Sequence, residues 1–159
     1  MKIVVVSDTH GNNKEVIEKI SEMERPDLLF HLGDYIEDGI KICTALGIDT
    51  IMVKGNGDRG NRIYNEDELI EISGRKIFLT HGHRYDVRYG ITNLYYKALE
   101  LNVDMVLFGH THVPINIEEN GIIFMNPGSP SIPRTQSKAK TIGLIDINDK
   151  IYTKIIEIK

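Results

Sequence analysis

The first third of the chain alternates short apolar runs with stretches of helical periodicity. The run from Ile3 to Val6 is continuous, which is typical of a strand buried on both faces of a sheet. Residues 13–24 carry apolar side chains at helical spacing and predict a helix that Asn12 or Asn13 could cap. The elements that follow are a strand at 28–30, a helix at 37–46 and a strand at 50–53. This order predicts right-handed crossovers in a parallel sheet.

The later part of the chain favours hairpins. Apolar segments at 69–72 and 76–79 flank a Ser-Gly-Arg turn, and segments at 115–117 and 122–125 flank a Glu-Asn-Gly turn. The remaining predicted elements are a helix at about 90–101, a strand at 106–108, and two strands near 141–147 and 151–158. The last strand has no cleanly apolar face, so we expect it near a sheet edge.

Composition narrows the class of protein. The chain has 159 residues, 41% of them hydrophobic, which fits a single domain spanning 1–159. The net charge of −4 lacks the basic footprint of nucleic-acid binding, so stable binding to nucleic acid is not expected. No apolar run indicates an export signal or a membrane helix, and the single cysteine fits a reducing cytosol. We therefore expect a cytoplasmic protein; nothing in the sequence excludes a homo-oligomer.

Five predicted strands run into polar residues at their carboxyl ends, where open α/β sheets gather their ligands. The residues there are Asp8, His10, Asp34, Asn56, His81, His110 and His112. Their nitrogen and oxygen donors suit Mn²⁺, Fe, Ni²⁺ or Zn²⁺. Seven donors exceed the needs of one ion and suit two ions that share a carboxylate, roughly 3.5–4 Å apart.

The pair His110 and His112 follows a buried strand with one residue between them. If the chain stays extended there, both side chains point the same way, because strand side chains alternate. Each of the five pieces also has an ordinary explanation as a turn, a helix cap or a core histidine. Their joint position at strand ends favours a metal site. His31 lies inside a strand and is interpreted as structural.

In this order, five motifs resemble those of the calcineurin-like metallophosphoesterases. They are Asp8-x-His10, Gly33-Asp34, Gly55-Asn56-x-Asp58, His81-Gly82-His83 and Gly109-His110-Thr111-His112. The short length and the tail Asn126-Pro127-Gly128-Ser129 resemble the small bacterial and archaeal phosphodiesterase branch, which is also similar to the scaffold subunit of eukaryotic retromer. The resemblance implies an α/β fold, a four-layer αββα sandwich with mixed β-sheets and a dinuclear site at one end.

The same resemblance implies an allocation of ligands. The first metal would take Asp8, His10, Asp34 and His112, and the second would take Asp34, Asn56, His81 and His110, with Asp34 as the bridge. Mn²⁺ is the expected ion, with Fe, Ni²⁺ or Zn²⁺ as alternatives. The implied activity is hydrolysis of a small phosphodiester or phosphomonoester by in-line attack of a hydroxide that bridges the two ions. The alternative is a non-catalytic, metal-binding docking scaffold like the retromer subunit, in which broken ligand positions would be expected.

One position departs from the family pattern. Many members have a histidine directly after the motif asparagine, where this chain has Gly57. Either the leaving group must be intrinsically good, or another residue supplies its proton. His83 is the candidate for that role, which is typically worth ~10²–10⁴-fold in rate, and the alternative is that His83 only supports the metal ligands. Asn56 is expected to act in catalysis as well as in metal binding, and Asn12 is expected at the substrate phosphate. Asp58 is interpreted as a hydrogen-bonding residue with a structural role.

Overall fold

Two mixed five-stranded sheets form the centre of the fold. The computed structural model describes residues 1–158. The strands of the first sheet, in spatial order, are β10 (Ile151–Ile158), β9 (Lys140–Ile147), β1 (Lys2–Val6), β2 (Leu28–His31) and β3 (Asp49–Met52). Those of the second are β4 (Asp67–Ile72), β5 (Arg75–Thr80), β6 (Met105–Leu107), β8 (Ile122–Asn126) and β7 (Ile115–Glu119).

Helices cover the outer faces of both sheets. The helices are α1 (Asn13–Ser21), α2 (Ile36–Leu46) and α3 (Thr92–Leu101), with two short 3₁₀ turns at His83–Tyr85 and Val87–Tyr89. Val16 of α1 and Ile42 of α2 pack with Val4 on the first sheet, and Leu94 of α3 packs with Val106 on the second. The inner faces of the two sheets share one apolar cluster. These layers confirm the predicted four-layer αββα sandwich.

The sheets bring several strand ends together. Strands β1, β2 and β3 run parallel, as do β5, β6 and β8. Strands β9, β4 and β7 pair antiparallel with β1, β5 and β8, and β10 pairs antiparallel with β9. Both predicted hairpins are present, and β10 lies at a sheet edge as expected. None of the helices within residues 1–158 is long and apolar enough to span a bilayer.

Three local predictions need correction. Helix α1 ends at Ser21 rather than 24, because the amide of Met23 already bonds to the carbonyl of Ile20 in a tightened last turn. Neither asparagine caps this helix with its side chain; the Asn12 amide donates instead to the carbonyl of Pro130 at 2.8 Å. Strand β6 ends at Leu107, and the positive φ angles of His110 and His112 show that the backbone beyond it is not extended.

Candidate metal centre

Ionisable side chains from both sheets meet beyond the carboxyl ends of their strands. Two triads have ligand atoms that all lie within 4.8 Å of one another; they are Asp8, His10 and His112, and Asp8, Asp34 and His81. The triads share Asp8, whereas the resemblance assigns the shared position to Asp34. The imidazole of His110 completes the group, with Nδ1 3.3 Å from Nε2 of His81.

Asp8 lies at the centre of the cluster and is fully buried. Its Oδ2 accepts hydrogen bonds from the Ser7 hydroxyl at 2.6 Å and the His110 amide at 3.0 Å. Its Oδ1 is buried and accepts no hydrogen bond, yet lies 3.1 Å from Nε2 of His112 and 3.9 Å from Nε2 of His81. A buried carboxylate oxygen without a donor is costly unless a cation or a proton compensates it.

The tautomers of two histidines point to a cation. Nδ1 of His81 lies 2.7 Å from the carbonyl of Leu32, and Nδ1 of His112 lies 2.7 Å from the carbonyl of Ile132. A carbonyl only accepts, so each Nδ1 carries the hydrogen and each Nε2 of the neutral ring presents a lone pair. Those lone pairs face carboxylate oxygens, including Oδ1 of Asp34 at 3.5 Å from His81. This arrangement fits metal ligands whose outer nitrogen is held by a backbone carbonyl.

The protonation states agree with this fit. Burial acts to raise the pKa of Asp8, but the contacts with His112, His81 and Ser7 outweigh it and hold the pKa at about 2. Burial, together with the neighbouring His81, lowers the pKa of His110 to about 4. Metal binding requires ionised carboxylates and neutral imidazoles, and Asp8 and His110 are in these states at neutral pH.

The loop after β6 differs from the expected extended strand. His110 and His112 have φ angles of 69° and 60°, and the amide of Thr111 bonds to the carbonyl of Gly109 in a tight turn. Both imidazoles still reach the cluster, because the side chain of Asn126 donates to the Gly109 carbonyl and the Thr111 hydroxyl and fixes the turn. The prediction of shared direction through strand alternation is therefore wrong in its geometry.

Gly109 is needed for close approach of the two sheets. A methyl group on Gly109 would collide with the hydroxyl of Ser7 and lie 2.8 Å from Oδ2 of Asp8. Gly57, where many family members have histidine, is similarly crowded: its amide donates to Oδ1 of Asp34 at 2.6 Å, and an added methyl would lie 2.9 Å from that oxygen. Position 57 of this chain therefore supports Asp34 through its backbone.

Asp58 has the structural role that its position suggested. Its Oδ2 accepts hydrogen bonds from the amides of Asp34 at 2.9 Å and Gly55 at 2.8 Å, and its Oδ1 accepts one from Ile36 at 2.9 Å. These bonds join the loop that carries Asp34 to the loop that carries Asn56. Asn56 itself is exposed and lines a cavity together with His10 and Asp34.

Sequence reasoning missed two polar residues that hold the site. The buried Asp38 accepts a hydrogen bond from the Gly11 amide at 2.7 Å and so fixes the turn after His10. The buried Ser129 donates to the carbonyl of Asp8 at 2.8 Å. Ser129 lies in the Asn-Pro-Gly-Ser tail that resembles the phosphodiesterase branch, whereas no local sequence pattern identifies Asp38.

The remaining predicted residues lie around the cluster. His83 is half-buried, with its ring centroid 5.5 Å from that of His81, and its Nδ1 is buried without a partner. Burial, and secondarily His81, lowers the pKa of His83. His31 is fully buried outside both triads; its Nδ1 accepts from the Gly33 amide at 3.3 Å, and its Nε2 lies 3.3 Å from the Thr9 hydroxyl.

An open cavity of about 620 Å³ adjoins the cluster. Its walls are formed by His10, Asp34, Tyr35, Ile36, Glu37, Asn56, Gly57, Asp58, Arg59 and Asn61. A second cavity of about 640 Å³ lies against β1, β9 and β10 and contains none of the seven candidate ligands. The chemistry of the cluster therefore points to the first cavity as the place where a ligand extends from the site.

Comparisons with known proteins agree with the motifs. A sequence model of the calcineurin-like phosphoesterase superfamily domain matches residues 1–150. The chain is 36% identical over 140 residues to "Probable metallophosphoesterase YsnB" of Bacillus subtilis, covering 86% of this chain and 79% of that protein. It is also 31% identical, over a 184-residue alignment, to a phosphodiesterase of Methanocaldococcus jannaschii, covering 98% and 99%.

A solved structure shows the same fold at lower identity. Wild-type Vps29 of Entamoeba histolytica, complexed with Zn²⁺, superposes with a TM-score of 0.81 and 24% identity, over 100% of both chains. The family model that matches residues 1–150 and the 36% identity to YsnB establish the family of this chain in addition to its fold. The chain belongs to the calcineurin-like phosphoesterase superfamily and is a phosphoesterase.

Proposed function

We propose that this chain is a metal-dependent phosphodiesterase with two divalent cations held by the cluster. Asp8 carries the proposal: it is a buried carboxylate common to two triads, and its unpartnered oxygen faces two imidazole nitrogens. Cations bound at these positions would take the carboxylate oxygen and the imidazole nitrogens as ligands. The relative named as a phosphodiesterase, aligned with 98% of this chain, supports a diester substrate.

The donors divide between two positions. Asp8, His10 and His112 would hold one ion, and Asp34, His81, His110 and Asn56 would hold the other. Asp34 is the bridge that the family pattern implies, and the shared position of Asp8 makes that carboxylate the second candidate. Carboxylate, amide and imidazole donors without thiolate suit Mn²⁺, and they also accept Fe, Ni²⁺ or Zn²⁺.

When bound, the ions would supply a hydroxide nucleophile near neutral pH and neutralise the charge that develops on the phosphoryl group during in-line attack. The chain's own residues then have two tasks. Asp58 and the Gly57 amide hold Asp34 in place. His83 is the proposed donor of the proton to the leaving oxygen; because its pKa is lowered, an anionic phosphate bound nearby must raise that pKa before it donates.

Several further properties belong to the same proposal. The proposed substrate is a small phosphodiester or monoester, with Asn12 and the backbone around Gly11 beside its phosphate. The net charge of −4 argues against stable binding to nucleic acid. A cytoplasmic location is proposed on the single cysteine.

The experiment is hydrolysis of bis(p-nitrophenyl) phosphate by the Mn²⁺-loaded protein. We expect turnover that EDTA abolishes and that Asp34→Asn lowers by at least about 10²-fold, because a cation ligand is lost. Asp149→Asn, the same change at an exposed turn between β9 and β10, should leave the rate unchanged. Metal-replete protein that turns over no diester or monoester would contradict the proposal.

That outcome would favour the docking scaffold as the alternative function. The likeness to Vps29 at 24% identity carries the fold alone and does not choose between the two. The seven intact candidate ligand positions favour the enzyme.

A further inference from the structure

Tyr35 has a backbone conformation that bulky residues rarely adopt. Its φ of 69° and ψ of 56° lie in the left-handed region, directly after Asp34 at φ 56° and Gly33 at φ 93°. For a bulky side chain this conformation is an outlier, and residues of this kind concentrate at functional sites. The position immediately follows a candidate metal ligand, where glycine or asparagine would fit with less strain.

Folding does not account for the tyrosine side chain. Tyr35 is 48% exposed, and its hydroxyl forms no hydrogen bond within residues 1–158. Its carbonyl accepts from the Asp38 amide at 2.9 Å, a bond that any residue would provide. The ring lies beside that of His10, at 4.9 Å between centroids and a tilt of 57°. The exposed half of the residue is available to a ligand.

Tyr35 lies on the wall of the cavity beside the metal cluster. The cavity measures about 620 Å³, and Tyr35 and Ile36 are the apolar residues on its walls. Glu37, Arg59 and Asn61 provide charged and polar groups around them. A phosphoester whose phosphoryl group sits at the cluster therefore meets one flat aromatic surface, surrounded by hydrogen-bonding side chains.

We propose that Tyr35 determines substrate selectivity by packing against a planar ring of the ester. The preferred class is aryl or heteroaryl phosphoesters with polar ring substituents, rather than alkyl esters. This selectivity depends on the function proposed above, because a ring reaches Tyr35 only when the phosphoryl group is held at the cluster. Ring packing of this kind is expected to strengthen binding about tenfold over a methyl group.

Binding of non-hydrolysable phosphonates to the Mn²⁺-loaded protein tests the proposal by calorimetry. Phenylphosphonate, cyclohexylphosphonate and methylphosphonate share one head group and differ in the attached group. We expect phenylphosphonate to bind about tenfold tighter than methylphosphonate and several-fold tighter than cyclohexylphosphonate, since aromatic packing adds to area burial. Tyr35→Asn tolerates the left-handed backbone and should bring the phenyl and methyl affinities within about twofold of each other, while Tyr35→Phe keeps the preference.

The controls separate this proposal from the proposed function. Tyr96→Asn removes a 65% exposed tyrosine from α3 and should keep the phenyl preference. Unchanged methylphosphonate affinity in Tyr35→Asn would show that the metal centre is intact, and loss of the phenyl preference in the same variant would support the role of the ring. A phenyl preference that survives Tyr35→Asn, or equal affinities for phenyl and cyclohexyl, would overturn it. Failure of the wild type to take up Mn²⁺ and hydrolyse any ester would instead overturn the proposed function.

Discussion

Asp58→Asn should weaken both the fold and the metal centre, because one carboxylate joins two loops of the site. Its two oxygens accept three backbone amides, those of Asp34, Gly55 and Ile36, at 2.8–2.9 Å. Asparagine offers one acceptor oxygen, and its amide group would face a backbone donor in the other position. The substitution changes few atoms, so any effect comes from these hydrogen bonds.

The structure sets the size of the effect. If the remaining oxygen keeps the bonds from Asp34 and Gly55, the substituted side chain loses the bond from the Ile36 amide. A hydrogen bond to a charged group contributes about 1.5–3 kcal/mol, and the two retained bonds weaken because the acceptor becomes neutral. We expect a loss of about 2–4 kcal/mol in the free energy of unfolding. Because outer partners orient metal ligands, Mn²⁺ affinity should fall about 10–100-fold.

Two measurements check this expectation. Urea unfolding of EDTA-treated protein at pH 7 gives the stability, and titration with Mn²⁺ gives the affinity. Asp149→Asn serves as the matched control at an exposed turn. Wild-type stability in Asp58→Asn would refute the hydrogen-bond reasoning, and a loss of stability with wild-type Mn²⁺ affinity would refute the link between Asp58 and the metal centre.

Three further predictions concern other residues. Burial lowers the pKa of His31 to about 4 from 6.5, so the unfolded chain binds more protons at this residue below pH 6.5. His31 should therefore account for about 3 kcal/mol of the stability lost from pH 7.5 to pH 4, and His31→Gln should reduce that loss by a similar amount in urea unfolding. Equal pH dependence in both proteins would contradict it. Gly57→Ala should lower Mn²⁺ affinity about tenfold, because the added methyl displaces Asp34; an unchanged titration would exclude this crowding. His83→Gln should lower kcat about 10²-fold for alkyl leaving groups and much less for p-nitrophenolate; equal losses would argue against a proton-donor role.

Much of the fold follows from hydrophobic periodicity. The helix and strand order, both hairpins and the edge position of β10 were predictable, since each depends on local pattern. The rule that ligands gather at the carboxyl ends of strands also predicts that these side chains meet, and six of the seven candidate ligands lie close together although they come from two different sheets. The rule does not predict which carboxylate is common to the two triads, because that depends on how the two sheets pack.

Residues that support the site are harder to predict than the candidate ligands. Asp38 lies inside α2, where its acid side chain resembles ordinary first-turn helix charge. Only the fold shows that it accepts the Gly11 amide across the site. The side-chain amide of Asn12 donates to the carbonyl of Pro130, a partner more than a hundred residues away. Interactions over such sequence distances leave no local pattern.

The local backbone of the site is the feature least visible in the sequence. Five of the seven candidate ligands have positive φ; they are Asp8, His10, Asp34, His110 and His112. Each such conformation costs about 1 kcal/mol or more in a non-glycine residue, so alternation along an extended strand was the wrong guide to where these side chains point. Because ligands that bind only the folded state stabilise it, cation binding would offset the strain energy of these five residues.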